Sequence, residues 1–202
     1  MACIALNYIK DSMKESVVNV HMIYDQEIVI KTGQKCILRS PRKEDAKQIL
    51  SLMEDTSGET EYMLRYPEEF QLTVEDEESI LEQIVESSNV IMVAAEIDGV
   101  IVANGGIHPV GTAQKTSHRA EFGISIRKEY WGMGIGSAIL EAIKEQAAIA
   151  GYEQIELDVV PENMRAISLY EKFGFRQCGT IPHGFKCRGE RYLDLNWMVC
   201  PI

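Results

Sequence analysis

Ile124-Ser-Ile-Arg-Lys-Glu-Tyr-Trp-Gly-Met-Gly-Ile-Gly136 is the stretch on which the reading of this sequence turns. Its first three residues close a run from Arg119 to Ile126 that reads as a strand. Its last residues lead into Ile135, Ile139 and Ile143 at four-residue spacing, a helix over about 137–150 with Gly151 at C′. Gly132, Gly134 and Gly136 thus stand where a strand passes into a helix. A helix N-terminus carries unpaired N–H groups and a partial positive charge, so it favours phosphate oxygens. Glycines at alternate positions let backbone approach a ligand without a Cβ in the way. A pyrophosphate site is one reading of this turn, and a plain tight turn is the other.

The flanks set the fold class. Val90–Ile97 and Val100–Ile107 read as strands joined by Asp98-Gly99, a hairpin signal. Upstream, Cys36–Ser40 is a short strand, and Ser40-Pro41 reads as N-cap and N1 of a helix carrying Ala46, Ile49, Leu50 and Met53. Thr73 and Asp76 fit a capping box for a helix with Ile80, Leu81, Ile84 and Val85 on one face. Downstream, 154–160 is a strand, 163–173 a helix ended by Gly174, and 175–180 and 191–200 are antiparallel strands. One parallel crossover between hairpins predicts a mixed α/β (α+β) sheet with helices on its faces. Residues 1–35 read as an N-terminal extension with an added hairpin, Val17–Tyr24 and Glu27–Thr32 around Asp25-Gln26. Residues 36–202 form the main domain.

Composition narrows the class of function. The 202 residues include 31 acids against 20 Lys and Arg, a net charge of −11. Such a balance argues against a nucleic-acid partner and against a surface that seeks anionic lipid. No apolar run reaches the ~18 residues of a membrane span, and Met1–Lys10 lacks a basic leader, so a cytoplasmic protein is expected. Cys3, Cys36, Cys178, Cys187 and Cys200 contain no CxxC pair and read as reduced, mostly buried thiols. His21, His108, His118 and His183 form no metal spacing, so no metal is expected; His108 reads as a packing residue or a catalytic one. The acids are concentrated: twelve lie between Glu54 and Glu86 with only Arg65 to offset them.

Three phosphate-binding patterns compete for the glycine turn. A P-loop needs lysine after its last glycine, and none follows Gly136. The dinucleotide fingerprint finds Gly132 and Gly134 but has Ser137 in third place; with Asp158 near the expected distance for a ribose-binding acid, a nicotinamide oxidoreductase stays an alternative. The stretch also resembles the acetyl-CoA motif of the GNAT family of N-acetyltransferases, Gln/Arg-x-x-Gly-x-Gly/Ala, with Gly134 and Gly136 as its glycines and Trp131 in the Gln/Arg position. A second block, Asn163-Met-Arg-Ala-Ile-Ser-Leu-Tyr170-Glu-Lys-Phe-Gly-Phe175, is similar to the family's Asn-x-x-Ala-x-x-Leu-Tyr-x-x-x-Gly-Phe helix. The resemblance covers about 36–199 and is greatest to the branch of ribosomal-protein and polyamine acetyltransferases.

That resemblance implies a mostly antiparallel sheet with a splayed central parallel pair, here 119–126 and 154–160. It implies transfer of acetyl from acetyl-CoA directly to a primary amine: a small cationic amine, an amino acid or a peptide N-terminus. Ile124, Ser125 and Ile126 would pair with the pantetheine amides as a missing strand would. Trp131 and Gly132 would border the cofactor, the turn Met133, Gly134, Ile135, Gly136 and Ser137 would hold the pyrophosphate, and an N–H near Ile126 would face the oxyanion. Asn163 and Ala166 would border the cofactor, and Tyr170 would be the general acid at its sulfur. Asp158 is the first choice of general base and Glu121 the second; each has an ion pair or a solvated face as its plain structural explanation. Arg188–Asp194 would help form the acceptor pocket or a homodimer contact. A non-catalytic acyl-CoA-binding module on the same scaffold is the remaining alternative. The acidic cluster falls beside the implied acceptor site, as a solvated face or, through Glu68, Glu69, Glu75 and Asp76, as a field for a cationic acceptor.

Overall fold

In the computed structural model, which describes residues 23–202, the strands are β1 (Asp25–Val29), β2 (Lys35–Arg39), β3 (Ile91–Ile97), β4 (Val100–Pro109), β5 (Arg119–Ile126), β6 (Gln154–Val159), β7 (Arg176–Lys186) and β8 (Tyr192–Pro201). Four α-helices interleave with them: α1 (Ala46–Glu59), α2 (Val74–Glu86), α3 (Ile135–Ile149) and α4 (Met164–Lys172). The strands form one sheet in the order β1-β2-β3-β4-β5-β6-β8-β7. Only β5 and β6 are parallel; every other neighbouring pair is antiparallel. This is the mixed sheet expected, and it lacks the run of parallel strands that a dinucleotide fold requires.

Helices cover both faces. β3 is buried on both sides because its alternating side chains serve two cores. Ile91, Val93, Ala95 and Ile97 share one with Ile135, Ile139 and Ile143 of α3, while Met92 and Ala94 share the other with α1 and α2. The Asp98-Gly99 turn has φ 50° and 80°, the pair of positive values that a tight two-residue hairpin needs. The Thr73–Asp76 capping box is present, with Thr73 Oγ1 accepting from the Asp76 N–H at 3.1 Å. Among the described residues no helix is long and apolar enough to cross a membrane.

Several boundaries differ from expectation. Asp25 and Gln26 lie inside β1, and the chain reverses at 30–34, where Ile30 N–H bonds Gln34 O and Gly33 N–H bonds Ile30 O. The part of the expected first strand at 17–22 falls outside the described residues. Ser40-Pro41 does not begin α1; a 3₁₀ turn over Lys43–Asp45 intervenes, because Asp45 turns back to accept the Arg42 N–H and the Arg39 guanidinium. Leu52, not Leu50, joins Ala46, Ile49 and Met53 in the core. Helix α3 starts at Ile135 rather than Ser137, and β7 continues past Thr180 to Lys186. Cys36 and Cys200 are buried as expected, but Cys178 is exposed and Cys187 half-buried.

Glu77 on α2 breaks the amphipathic rule. It is 0% exposed, and neither carboxylate oxygen has a hydrogen-bond partner among the described residues. Burial pushes its carboxyl up to about 7. A carboxyl raised in the folded state binds protons that the unfolded chain has already released, so stability falls as pH rises from about 4.5 towards 7. Glu77→Gln should therefore stabilise the protein by roughly 1–3 kcal/mol at pH 8, with the gain fading by pH 5. Urea unfolding at both pH values measures it; an equal effect at both would mean Glu77 is not charged at pH 8.

Candidate active site

β5 and β6 pair only at Arg119↔Gln154, Ala120↔Ile155 and Glu121↔Glu156. Beyond Glu121 the two strands separate, so β5 keeps its partner β4 on one side through Ile126 and has none on the other among the described residues. The antiparallel alternation decides which groups are exposed there. Arg127 N–H bonds Val102 O at 3.0 Å, so the neighbouring Ile126, and likewise Ile124, turn their N–H and C=O towards the opening. Ser125 is the residue between them and is directed to β4 through Asn104. The opening therefore offers a short strand edge to a ligand.

The glycine turn closes one end of the opening. Gly132 and Gly134 have φ of 79° and 99°, a left-handed geometry that disfavours any other residue. Gly134 caps α3 without a side chain, and the first helical bond is Ala138 N–H to Gly134 O. The N–H groups of Ile135, Gly136 and Ser137 precede it and lack intrahelical acceptors. The Ile135 side chain is in the core, so only its backbone can meet a ligand. Gly136 has a different reason: a Cβ there would sit 3.1 Å from Ile126 Cδ1 and from Leu169 Cδ2. It is small to pack α3 against β5 and α4, not to admit a ligand. Met133 O accepts the Lys31 N–H at 3.0 Å, which ties the β1–β2 turn to the glycine turn, a contact no sequence pattern announces.

Trp131 lies against the mouth. Its indole N–H donates to Ile126 O at 2.8 Å, and the Arg165 guanidinium lies over its ring, 5.1 Å from the centroid. Asn163 caps α4 through Oδ1, which accepts the Ala166 N–H at 3.3 Å. Ala166 is itself half-buried in the first turn of that helix. The Tyr170 ring is held edge-on by Phe122 at 6.2 Å and tilted against Phe175 at 5.7 Å. It is 7% exposed, and burial pushes its hydroxyl well above the usual phenol range. Its hydroxyl makes no hydrogen bond to another described residue.

The carboxylates occupy the opposite face of the sheet. Phe122 points to α3 and α4, so Glu121 points the other way, with His108 and Glu156 as its cross-strand neighbours. Glu156 is gripped by Arg119 through contacts of 2.7, 2.8 and 3.1 Å. That pairing occupies both Glu156 oxygens. Burial first, then the Asp158 and Glu156 charges, raise the Glu121 carboxyl; burial and Glu156 raise Asp158. His108 lies within β4, where burial lowers it to about 4 and leaves it neutral, 3.6 Å from Glu121. Asp158 borders a trough of about 370 Å³ with Gly179, Thr180, Ile181 and Trp197. This trough was invisible in the sequence because its strands meet only through the β6-β8-β7 order.

The acidic cluster is largely engaged. Arg127 pairs with Asp55, Arg188 with Glu68, Arg191 with Glu61, and Lys43 with both Glu78 and Glu82. Glu69 and Asp76 accept the N–H groups of Tyr66 and Thr73. Arg188 also lies over the Tyr66 ring, so the 188–194 turn docks on the α1–α2 connector of the same chain. Of the four acids expected to steer a cation, only Glu75 lacks such a role among these pairings. Among the described residues no group of three or more His, Cys, Asp or Glu is placed to hold a metal.

Comparison with known proteins agrees with this arrangement. The acetyltransferase (GNAT) family matches residues 51–175. An L-amino acid N-acetyltransferase of Escherichia coli is 30% identical over 119 residues, 58% of this chain and 72% of that protein. The crystal structure of a GNAT-family acetyltransferase from Streptococcus pneumoniae superposes with a TM-score of 0.79 at 27% identity, covering 83% of this chain and 99% of that one. An acetyltransferase from Salmonella typhimurium, solved with acetyl-CoA, shares the fold at a TM-score of 0.73 and 16% identity, covering 82% and 93%.

Proposed function

The chain belongs to the GNAT family of acetyltransferases and is an acetyl-CoA-dependent N-acetyltransferase, and from this premise we propose that it acetylates the α-amine of an amino acid or short peptide by direct transfer. The observation that carries the proposal is the divergence of β5 from β6, with Tyr170 on one face of the opening and Glu121 and Asp158 on the other. The cofactor supplies an activated acetyl thioester. Its fit rests on the strand edge at Ile124 and the Ile126 N–H, on the left-handed glycines, and on the uncapped start of α3.

Each residue then has a task. Ile124 and Ile126 hold the pantetheine arm, and the Ile126 N–H faces the developing oxyanion. Met133, Gly134, Ile135, Gly136 and Ser137 offer backbone to the pyrophosphate. Asn163 Oδ1 is committed to its cap, which leaves its amide nitrogen for the cofactor. Asp158 would take one proton from the incoming ammonium so that its nitrogen can bond to the acetyl carbon, and the second proton on that nitrogen would leave with the sulfur as the carbon–sulfur bond breaks. Tyr170 donates to the departing sulfur. Cys36, raised to about 11 by burial, is a poor nucleophile for an acyl-enzyme.

The choice of acceptor rests on three features. The trough beside Asp158 is walled by Trp197 and Ile181, which suits an apolar substituent next to the amine. Of the four acids expected to draw a polycation, Glu68 is paired with Arg188, and Glu69 and Asp76 are engaged by backbone N–H groups. The Escherichia coli relative is named for L-amino acids. Asp158→Asn should lower kcat/KM by about 10- to 100-fold, short of the full range for an acid–base residue because Glu121 stands nearby as a substitute. It should also remove a limb of the pH–rate profile lying above the usual carboxylate range. If Glu121→Gln has the larger effect and Asp158→Asn leaves the limb in place, the two carboxylates exchange roles.

A further inference from the structure

We propose that Arg165 binds the pyrophosphate of acetyl-CoA, supplying from α4 the cationic fork that Trp131 cannot supply from the glycine turn; this rests on the acetyl-CoA reading above. Trp131 fills the position where the resembling motif carries Gln or Arg. Its side chain has one donor, the indole N–H, and that donor is committed to Ile126 O. The motif position therefore offers nothing to an anion. Arg165 lies across the same place. Its Cζ is 5.1 Å from the Trp131 ring centroid, and Nη1 comes within 3.6 Å of where a Cβ on Gly132 would stand.

A guanidinium held over a ring face by cation–π attraction spends none of its N–H donors on that contact, so they remain for a phosphate. No hydrogen bond or ion pair joins Arg165 to another described residue. Its location is also costly without an anion. Arg165 is two residues past the Asn163 cap, in the first turn of α4, where the helix macrodipole disfavours a cation. It gives that helix nothing electrostatically, yet it is held in one place by an aromatic platform. Gly132 keeps the space beside Nη1 free of a Cβ. In a chain of net charge −11, an arginine left unpaired while acids elsewhere find partners is positioned for a ligand that is not part of the chain.

The test compares the parent with Arg165→Ala and Arg165→Lys. Acetyl-CoA affinity is read by calorimetry at several salt concentrations, and kcat/KM is read for acetyl-CoA, acetyl-dephospho-CoA and S-acetylpantetheine. Arg165→Ala should weaken acetyl-CoA binding about tenfold or more and flatten its salt dependence. The same loss in kcat/KM should appear with acetyl-dephospho-CoA, which keeps the pyrophosphate, and should fall below about twofold with S-acetylpantetheine, which has none. Arg165→Lys, retaining charge without the fork, should lie between. An unchanged affinity and salt slope overturns the inference, as does an equal loss with S-acetylpantetheine, which would mark Arg165 as a structural prop for Trp131. Disappearance of the loss with acetyl-dephospho-CoA would overturn the pyrophosphate assignment. A parent protein that fails to bind acetyl-CoA would instead strike at the cofactor reading beneath it.

Discussion

A Tyr170→Phe variant should turn over between about 10²- and 10³-fold more slowly than the parent while binding acetyl-CoA within about twofold. The ring is fixed by Phe122 and Phe175, so removing one oxygen leaves the packing intact. What is lost is a donor to a sulfur that gains charge only as the carbon–sulfur bond breaks. An interaction formed in the transition state and absent in the ground state appears in kcat, not in affinity. Burial disfavours the phenolate, so Tyr170 stays protonated across the working pH range and acts by a strong hydrogen bond to the leaving thiolate. The pH–rate profile of the parent should accordingly show no limb from Tyr170 below about pH 10. Turnover by Tyr170→Phe within twofold of the parent, with chemistry rate-limiting in single-turnover mixing, would remove Tyr170 from this role.

The largest effect on stability is expected at Arg39. Its side chain is buried, and it donates to Asp45 at 2.6 and 2.9 Å and to Glu96 at 2.7 and 2.9 Å. Burial alone would raise the Asp45 carboxyl, but the hydrogen bonds from Arg39 and from the Arg42 N–H outweigh it and hold it below the usual range. Arg39→Met should lower the unfolding free energy by about 3–5 kcal/mol, because it leaves Asp45 charged, buried and short of partners. The sign with pH follows from the depressed carboxyl. The pair's contribution is present at neutral pH and is lost as pH falls through the folded-state pKa of Asp45, so parent and variant should converge in acid. Urea unfolding at pH 7 and pH 3 measures both quantities. A loss under 1 kcal/mol at pH 7 would mean the pair behaves like an exposed one.

The elements legible in the sequence were those whose cause is local. The Asp98-Gly99 turn, the Thr73 capping box, the Gly151 and Gly174 stops and the strand 119–126 each depend on residues within a few positions, and each stands where it was expected. The start of α1 was misread because Asp45 answers to Arg39 on a strand, a partner that local pattern does not reveal. Leu52 takes the core place expected of Leu50 because the inward face of α1 runs through Ile49, Leu52, Met53 and Thr56, a choice set by the sheet and α2 it packs against.

The site divides in the same way. The glycine turn and the helix ending in Tyr170 are contiguous and carry recognisable spacing. Asp158 and Glu121 could be named as strand carboxylates, but what separates them from Glu156 is Arg119, 37 residues away in sequence. Gly136 had the right identity for another reason, since its neighbours Ile126 and Leu169 come from two other elements. The acid surplus was visible as a number, whereas its use in pairing Arg127, Arg188 and Arg191 was not.

The central claim is that the opening between β5 and β6 transfers acetyl from acetyl-CoA to an amine without a covalent enzyme intermediate. Its most direct test is rapid mixing of the protein with radiolabelled acetyl-CoA, with and without a panel of amino acids and short peptides, following free CoA thiol and protein-bound label together. The account predicts stoichiometric CoA release only when an acceptor is present, no label on the protein, and an N-acetylated amine as product. A burst of CoA with label retained on the protein in the absence of acceptor would contradict it.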